Sequence, residues 1–294
     1  MPNLQDLRRR IRSVRNMQKT TKAMKMVASA KLRRAQDRVR AARPYADTMA
    51  RVLGRLAARA TDYHHPLLDE RGDQHYLLVL ITADKGLCGG FNANLGKAAQ
   101  HFIRENPDKQ IELITIGRRG RDFFRRRRAA IVSEYINLTA RSFEHEDAAE
   151  IAREIMRLFT AEDSTIDRVF VIYMQFKSVL SQQIVRKQLL PVPTNRFTDE
   201  GTGGSDVLID YIYEQPPAEI FGALLPNYVE TELFTALVDS VASEQGARMT
   251  AMDSASKNAG EVIDSLTLNL NRARQASITG EIIEVVSGAQ ALQG

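Results

Sequence analysis

Proline placement constrains this chain more than any other feature, because an interior proline costs a helix roughly 3 kcal/mol and ends or kinks it. The nine prolines leave residues 3–43 and 227–294 free. The second window is 68 residues long. Wholly helical, it would extend about 100 Å at 1.5 Å per residue. No compact domain contains such a rod, so it has to project and find a partner for its apolar stripe.

The first window supplies one. A heptad frame starting at Leu4 collects Leu7, Ile11, Val14, Ala28, Leu32, Ala35, Val39, Ala42, Ala46, Met49, Leu53, Leu56 and Ala60. Gln18, Thr21 and Lys25 break it, and Met17 and Met24 offer a seam shifted by one residue, as a local stammer and stutter would. Asn3 is placed to cap the helix, with Asp6 in its first turn. Pro44 is expected to kink rather than end it, since the stripe continues to Ala60. In the C-terminal window the matching stripe reads Met252, Ala255, Ala259, Val262, Leu266, Asn269, Ala273, Ala276, Gly280 and Ile283. Its small residues let two backbones approach closely, which favours a slender pair over a bulky bundle.

Between the windows the periodicity shortens to strand-like runs at Tyr76–Thr82, Ile111–Ile116, Ile131–Ile136, Val169–Phe176 and Ile184–Pro191. Helical patterns at about 91–105, 119–128 and 145–160 separate the first four, and such alternation reads as a largely parallel sheet. The last two runs, joined by KSVLSQQ, read as a hairpin adding an antiparallel strand. The fold class expected is therefore α/β: a long antiparallel coiled coil of N- and C-terminal helices plus a small Rossmann-like α/β domain. Its parts would be an N-terminal coiled-coil helix at 1–60, a central domain at 75–192, a linker at 193–206, and a C-terminal helix at 207–294 that pairs with 1–60.

Charge sorts the possible functions. Residues 1–60 hold 17 Lys and Arg against three acids, a net +14, while residues 227–294 hold 4 against 9, a net −5. This admits a basic arm for nucleic acid, a helix facing an acidic protein partner, or two chain ends that pair. Cys88 is the one cysteine, so neither an internal disulfide nor a cysteine-rich zinc site is available. There is no run of eighteen apolar residues, and the start MPNLQDLRRR lacks the apolar core of a signal peptide, so membrane contact should be peripheral.

Candidate chemistry is sparse. ITADKGLCGGFNANLGK (81–97) follows a strand and opens a helix, where α/β folds often bind phosphate. The spacing is wrong for a phosphate-binding loop: five residues separate Gly90 from Gly96, and Ala98 replaces the Ser or Thr that would hold magnesium. A tight turn or protein-contact loop is the preferred reading. Cys88 has no identifiable base, and the five histidines show no metal-ligand spacing. RRGRDFFRRRR (118–128) carries seven arginines and could grip phosphate groups, but a solvated helix with Phe123 and Phe124 turned inward is preferred. No cofactor and no catalytic or metal-binding residue is expected.

The two ends together are recognisable. LRRRIRSVRNMQKTTKAMKMVASAKLRRAQ with ARPYA downstream, the loop TADKGLCGGFNANL, and SASKNAGEVIDSLTLNLNRARQASITGEIIEVVSGAQAL closely resemble the gamma subunits of F-type ATP synthases. The resemblance implies a rotor shaft inside a ring of three alpha and three beta subunits, with its foot on the epsilon subunit and the c-subunit ring. Proton-driven rotation would force the beta sites through their states, with all chemistry in beta and the chain peripheral on the cytoplasmic face of a bacterial inner membrane. It further implies that Arg274, Gln275 and Thr279 form an upper catch with beta and that Met24 is sensitive to added charge. Lys85, Leu87 and Cys88 would face an acidic lever of beta, and Tyr211, Tyr213 and Glu214 would lie in the foot facing epsilon or the ring. The alternatives are a basic coiled-coil nucleic-acid-binding protein, which should bind duplexes with steep salt dependence, and a nucleotide-using enzyme active as the isolated chain.

Overall fold

A computed structural model describes residues 4–57, 64–138, 143–193 and 216–291. In chain order the elements are α1 (Leu4–Ala57), β1 (His75–Ile81), α2 (Phe91–Glu105), β2 (Gln110–Ile116), α3 (Arg118–Arg125), β3 (Ile131–Tyr135), α4 (His145–Thr160), β4 (Arg168–Phe176), β5 (Gln182–Leu190) and α5 (Pro217–Ala291). The fold class is the one expected, mixed α/β with two long terminal helices and a sheet of mainly parallel strands. The chain divides into two compact units, one formed by Met1–Ser29 with Arg248–Gly294 and the other by Ala30–Ala247.

In the larger unit five strands lie in the order β3-β2-β1-β4-β5. The pairs β1·β2, β1·β4 and β2·β3 are parallel, and β4·β5 is antiparallel, as the hairpin reading requires. β1 runs in the middle and is buried along almost its whole length, which explains its unbroken apolar sequence HYLLVLI. Tyr76, Leu78 and Leu80 on one face pack with Phe91, Leu95 and Phe102 of α2 and Phe124 of α3. α4 carries a buried stripe from Ala148 to Phe159, and lies near α5 through Phe143 and His145 against Phe234 and through Arg153 to Glu230 (3.4 Å).

α1 continues through Pro44, as expected. α5 runs from Pro217 through Pro226 into the proline-free window, and residues 207–215 of the expected C-terminal helix, like 194–206 of the expected linker, lie outside the described residues. Leu225, Tyr228 and Val229 are buried beside Pro226, and burial of three large side chains outweighs a local helix penalty of roughly 3 kcal/mol. Asn3 lies outside the described residues.

In the smaller unit the helices pair antiparallel: Gln18 Nε2 donates to the Ser256 carbonyl (3.2 Å) and Lys25 Nζ to Asp253 Oδ1 (2.6 Å), so rising numbers on α1 meet falling ones on α5. The N-terminal seam keeps one frame through Gln18, Thr21 and Lys25, which are buried or half-buried, while Met17 is 59% exposed. Of the two methionines that offered a shifted seam, Met24 is half-buried beside the frame and Met17 is not, while Gln18 and Lys25 stay in the frame because they find partners across the pair. On α5 half of the expected stripe is displaced. Inward positions are Met252, Ser256, Ala259, Ile263, Leu266, Leu270, Ala273, Ser277 and Gly280, whereas Val262, Asn269 and Ala276 are exposed.

Candidate functional site

The loop after β1 is built from its own polar groups. Asn92 Oδ1, in the first turn of α2, accepts from the Ala83 amide (3.0 Å), while its Nδ2 donates to the Lys85 carbonyl (3.3 Å) and to Cys88 Sγ (3.1 Å). Asp84 Oδ1 accepts from the backbone amides of Arg118 (3.1 Å) and Asn137 (2.8 Å), joining the loops that follow β1, β2 and β3. Thr82 Oγ1 takes the Gly120 amide (2.8 Å) at the start of α3. Gly117 has φ +96°, and a Cβ there would stand 2.2 Å from the Thr82 carbonyl oxygen. No other residue type fits that approach.

The result is a stiff surface loop. Lys85 is exposed, and Leu87, with φ +62°, is 64% exposed. Cys88 is turned inward at 1% exposure, so of the three residues expected to face a partner it supports the loop from beneath. The Asp84 carboxylate and the Asn92 side chain, which a nucleotide-binding loop would direct at its ligand, are occupied with backbone groups.

Arg274, Gln275 and Thr279 are exposed on α5 in the smaller unit, and Met24 is half-buried on α1 beside the seam. Tyr211, Tyr213 and Glu214 lie outside the described residues. The structure therefore brings the sequence candidates together in two groups, a loop in the larger unit and a helix surface in the smaller. Beyond Ala259 no described residue of α5 is buried, and its end carries Ile278, Ile282, Ile283, Val285 and Val286 exposed.

The arginine run takes the solvated form expected. Phe124 is buried and Phe123 half-buried against Gly96, Arg127 lies 3.6 Å from the centre of the Phe123 ring, and Arg121 and Arg125 reach Glu134. Among the described residues no group of three or more His, Cys, Asp or Glu side chains could hold a metal, and no helix is long and apolar enough to cross a membrane.

Sequence reasoning missed a buried carboxylate. Asp239 of α5 sits almost fully inside the larger unit, and Arg43 comes within only 3.5 Å of its Oδ1 while donating at 3.0 Å to the Phe176 carbonyl. Burial pushes this carboxyl up to about 6 from 3.8, with Arg43 and the Phe176 backbone pulling the other way. The single signal in the sequence was an acid in an otherwise apolar stretch, TALVDSVAS.

Two terminal helices that pair antiparallel, with a small parallel-sheet domain between them in sequence, define a class of long-helix protein, and its exposed candidates Lys85, Leu87, Arg274, Gln275 and Thr279 lie on two separate surfaces. Comparison with known proteins makes this specific. The ATP synthase family model matches residues 3–292. The ATP synthase gamma chain of Solibacter usitatus (strain Ellin6076) is 52% identical over 297 residues, covering all of both chains. Among solved structures, the central stalk and c-ring of the Tetrahymena thermophila mitochondrial ATP synthase contains a chain 26% identical, with a TM-score of 0.62 over 81% of this chain and 99% of that one. A chain of the Euglena gracilis mitochondrial ATP synthase shares the fold at 17% identity, with a TM-score of 0.65 over 98% of this chain and 94% of that one. The chain belongs to the ATP synthase gamma chain family. The nucleic-acid alternative finds no support in these likenesses.

Proposed function

We infer that this chain is the rotating central shaft of an F-type ATP synthase and carries no catalytic site of its own. One copy would sit within three alpha and three beta subunits, with its foot on the epsilon subunit and the c-subunit ring, peripheral on the cytoplasmic face of a bacterial membrane. Proton flow would turn ring and shaft together, and the shaft's changing face would drive the beta sites in turn. The observation that carries this reading is the 52% identity to a gamma chain from end to end, including both terminal helices.

The physical properties of the helix pair suit the role. A shaft has to turn against its sleeve, so its contacts must form and break at low cost. Solvated ionic and hydrogen-bonded contacts, each typically worth ~1 kcal/mol or less, allow this where a large fixed apolar interface would not. The exposed arginines Arg8, Arg9, Arg12 and Arg15 and the exposed Arg274 and Gln275 provide such groups. In this reading Arg274, Gln275 and Thr279 grip beta, Met24 marks a surface where added charge disturbs coupling, Lys85 and Leu87 meet an acidic lever of beta, and Tyr211, Tyr213 and Glu214 belong to the foot.

The test is reconstitution with alpha and beta subunits from the same source, reading native mass and ATPase beside the isolated chain. A particle of three alpha, three beta and one copy of this chain, active only when assembled, is the expected result. Failure to form it, together with tight duplex binding at physiological salt, would overturn the reading.

A further inference from the structure

The arginine run at 118–128 divides in two. Its first part is used within the fold: Arg121 reaches Asp122 and Glu134, and Arg125 reaches Glu134 at 2.9 Å. Those are the two acids between Arg121 and Tyr135, so both are taken. Arg126, Arg127 and Arg128 follow, all exposed, and none of the three makes an ion pair among the described residues. Arg127 lies over the Phe123 ring and donates to the Phe123 carbonyl (3.0 Å), which fixes its stem against the helix.

Arg128 carries the second observation. Its amide donates to the Arg125 carbonyl (3.1 Å) and that of Ala129 to the Phe124 carbonyl (3.3 Å), the bond pattern that closes a helix through one left-handed residue. That residue is Arg128, with φ +54°. Glycine is the favoured occupant of such a position, because a Cβ there is crowded by the backbone. An arginine where the fold would prefer glycine points to a use of its side chain outside the fold.

Sheet topology places this corner. β1, β2, β3 and β4 are mutually parallel, and the loop carrying Lys85 and Leu87 leaves the C-terminal end of β1. The turn that holds Arg126, Arg127 and Arg128 leads into the N-terminal end of β3, so it lies at the opposite edge of the sheet. In the shaft reading Lys85 and Leu87 meet beta. The opposite edge then points away from the alpha and beta subunits, toward the membrane. Three cations on one tight turn make a compact exposed corner, which suits a flat layer of phosphate headgroups and offers no stripe for a nucleic-acid backbone to follow.

We propose that Arg126, Arg127 and Arg128 form a lipid contact, through which the turn between α3 and β3 rests on anionic phospholipid headgroups of the bilayer surface. Solvated ionic contacts with a fluid headgroup layer break and re-form at low cost, as a turning part requires. The proposal rests on the shaft reading and adds to it a membrane contact made by the chain itself, separate from its attachment to the c-subunit ring.

The test is flotation of the particle reconstituted with alpha and beta subunits, in which the basic shaft is enclosed by its sleeve. Vesicles of phosphatidylcholine with about one-third phosphatidylglycerol should carry the particle, vesicles of phosphatidylcholine alone should not, and salt should weaken the binding. Arg126→Gln and Arg128→Gln should each lower the partition coefficient about fivefold, the factor that one arginine near an anionic surface represents, and the two together by more than either alone. Arg128→Gly separates contact from fold: binding should drop by the same factor, while the thermal midpoint of the isolated chain rises by about 2 °C because glycine relieves the left-handed backbone. Arg126→Lys keeps the charge and should bind as the parent does, and so should Lys177→Gln, which removes an exposed cation at the opposite edge. Parental binding in the double glutamine variant, equal binding of the parent to neutral vesicles, or no binding of the parent to either would overturn the lipid contact and leave the shaft reading intact. A double variant that lost affinity for a nucleic-acid duplex and kept it for vesicles would overturn it as well. Failure of the parent chain to assemble would overturn both.

Discussion

The sheet unit and the helix-pair unit are held together by different means. In the sheet unit Leu77, Leu78, Leu80, Leu95 and Phe159 are completely buried, and α2 and α3 return their apolar faces to the sheet. In the helix pair the seam holds Gln18, Thr21, Lys25, Ser256 and Ser277, and the last thirty-two described residues of α5, from Gly260 to Ala291, include none that is buried. One unit carries its stability inside. The other leaves apolar side chains and charge exposed on its surface, as the proposed shaft inside a sleeve of partner subunits would require.

The sharpest way to break this contrast is to delete equivalent apolar mass from each unit. Leu80→Ala removes a fully buried side chain between α2 and α3, and should cost about 2–5 kcal/mol, read as a lowered denaturation midpoint. Val285→Ala removes an exposed one and should change the isolated chain by within about 0.5 kcal/mol. Similar losses at both positions would show that α5 is packed along its end in the free chain.

Gly117→Ala tests the joint that carries the loop. The added methyl meets the Thr82 carbonyl oxygen at 2.2 Å on a backbone with φ +96°, so the strands β1 and β2 must part or the loop must move. A loss of about 2–3 kcal/mol is expected, and it should be accompanied by faster amide exchange at Thr82 and Arg119, whose amides donate to the Ile116 and Ala83 carbonyls there. Glycine at this position was present in the sequence but unremarkable; the need for it arises only when β1 and β2 lie parallel with their C-terminal ends together.

The sheet unit was legible because alternation and burial agree. Strands read from short apolar runs start and end within two residues of those observed, since each run is flanked by a helical pattern or a turn. The helix seam was legible only in part, for a physical reason. At Ala255 against Ser256 and at Ala276 against Ser277, neighbouring small residues differ too little in hydrophobicity to say which faces inward, and the partner helix decides. Gln18 and Lys25 misled for the opposite reason: as polar residues they looked like a break, yet the Ser256 carbonyl and Asp253 meet them across the pair. The outward-facing candidates Arg274, Gln275 and Lys85 came from resemblance, because an exposed side chain waiting for a partner leaves no periodic signal of its own.

Asp239 sharpens the comparison by placing a charge inside the dry unit. Its carboxyl titrates near 6 when folded and near 3.8 when unfolded, so the folded chain holds the proton more tightly. Stability should therefore fall as pH rises from about 4 to about 6 and be level above that, by roughly 3 kcal/mol in all at 1.36 kcal/mol per pKa unit. Asp239→Asn should abolish that slope, checked by urea unfolding at pH 4.5 and 7. Asp253, in the helix pair, behaves in the opposite sense. Hydrogen bonds from Lys25 and Lys257 hold its carboxyl below the ordinary range, so its contribution is present at neutral pH and is lost as pH falls through that lowered value. A parent whose stability between pH 4 and 6 is flat would contradict the burial of Asp239.

The smallest expected effect on the isolated chain, and the one that bears most directly on rotation, belongs to the outer surface of α5. Arg274 and Gln275 are exposed and Arg274 has no ion-pair partner among the described residues, so Arg274→Ala combined with Gln275→Ala should leave the denaturation midpoint of the free chain unchanged. In the assembled particle the same pair is expected to lower ATP synthesis and ATP-driven proton pumping by up to roughly thirtyfold, since two solvated polar contacts at about 1 kcal/mol each amount to that factor. Ala273 and Ser277, on the inward side of the same turns, give the opposite expectation. A bulky Ala273→Leu should disturb the helix pair itself and shift the midpoint of the free chain. If the outer double variant pumped protons as the parent does while Ala273→Leu did not, torque would have to pass through the geometry of the pair, and the outward polar groups would be dispensable. If the outer variant alone failed, the grip on the surrounding subunits would lie in those side chains, as the division between a self-packed unit and a partner-covered one implies.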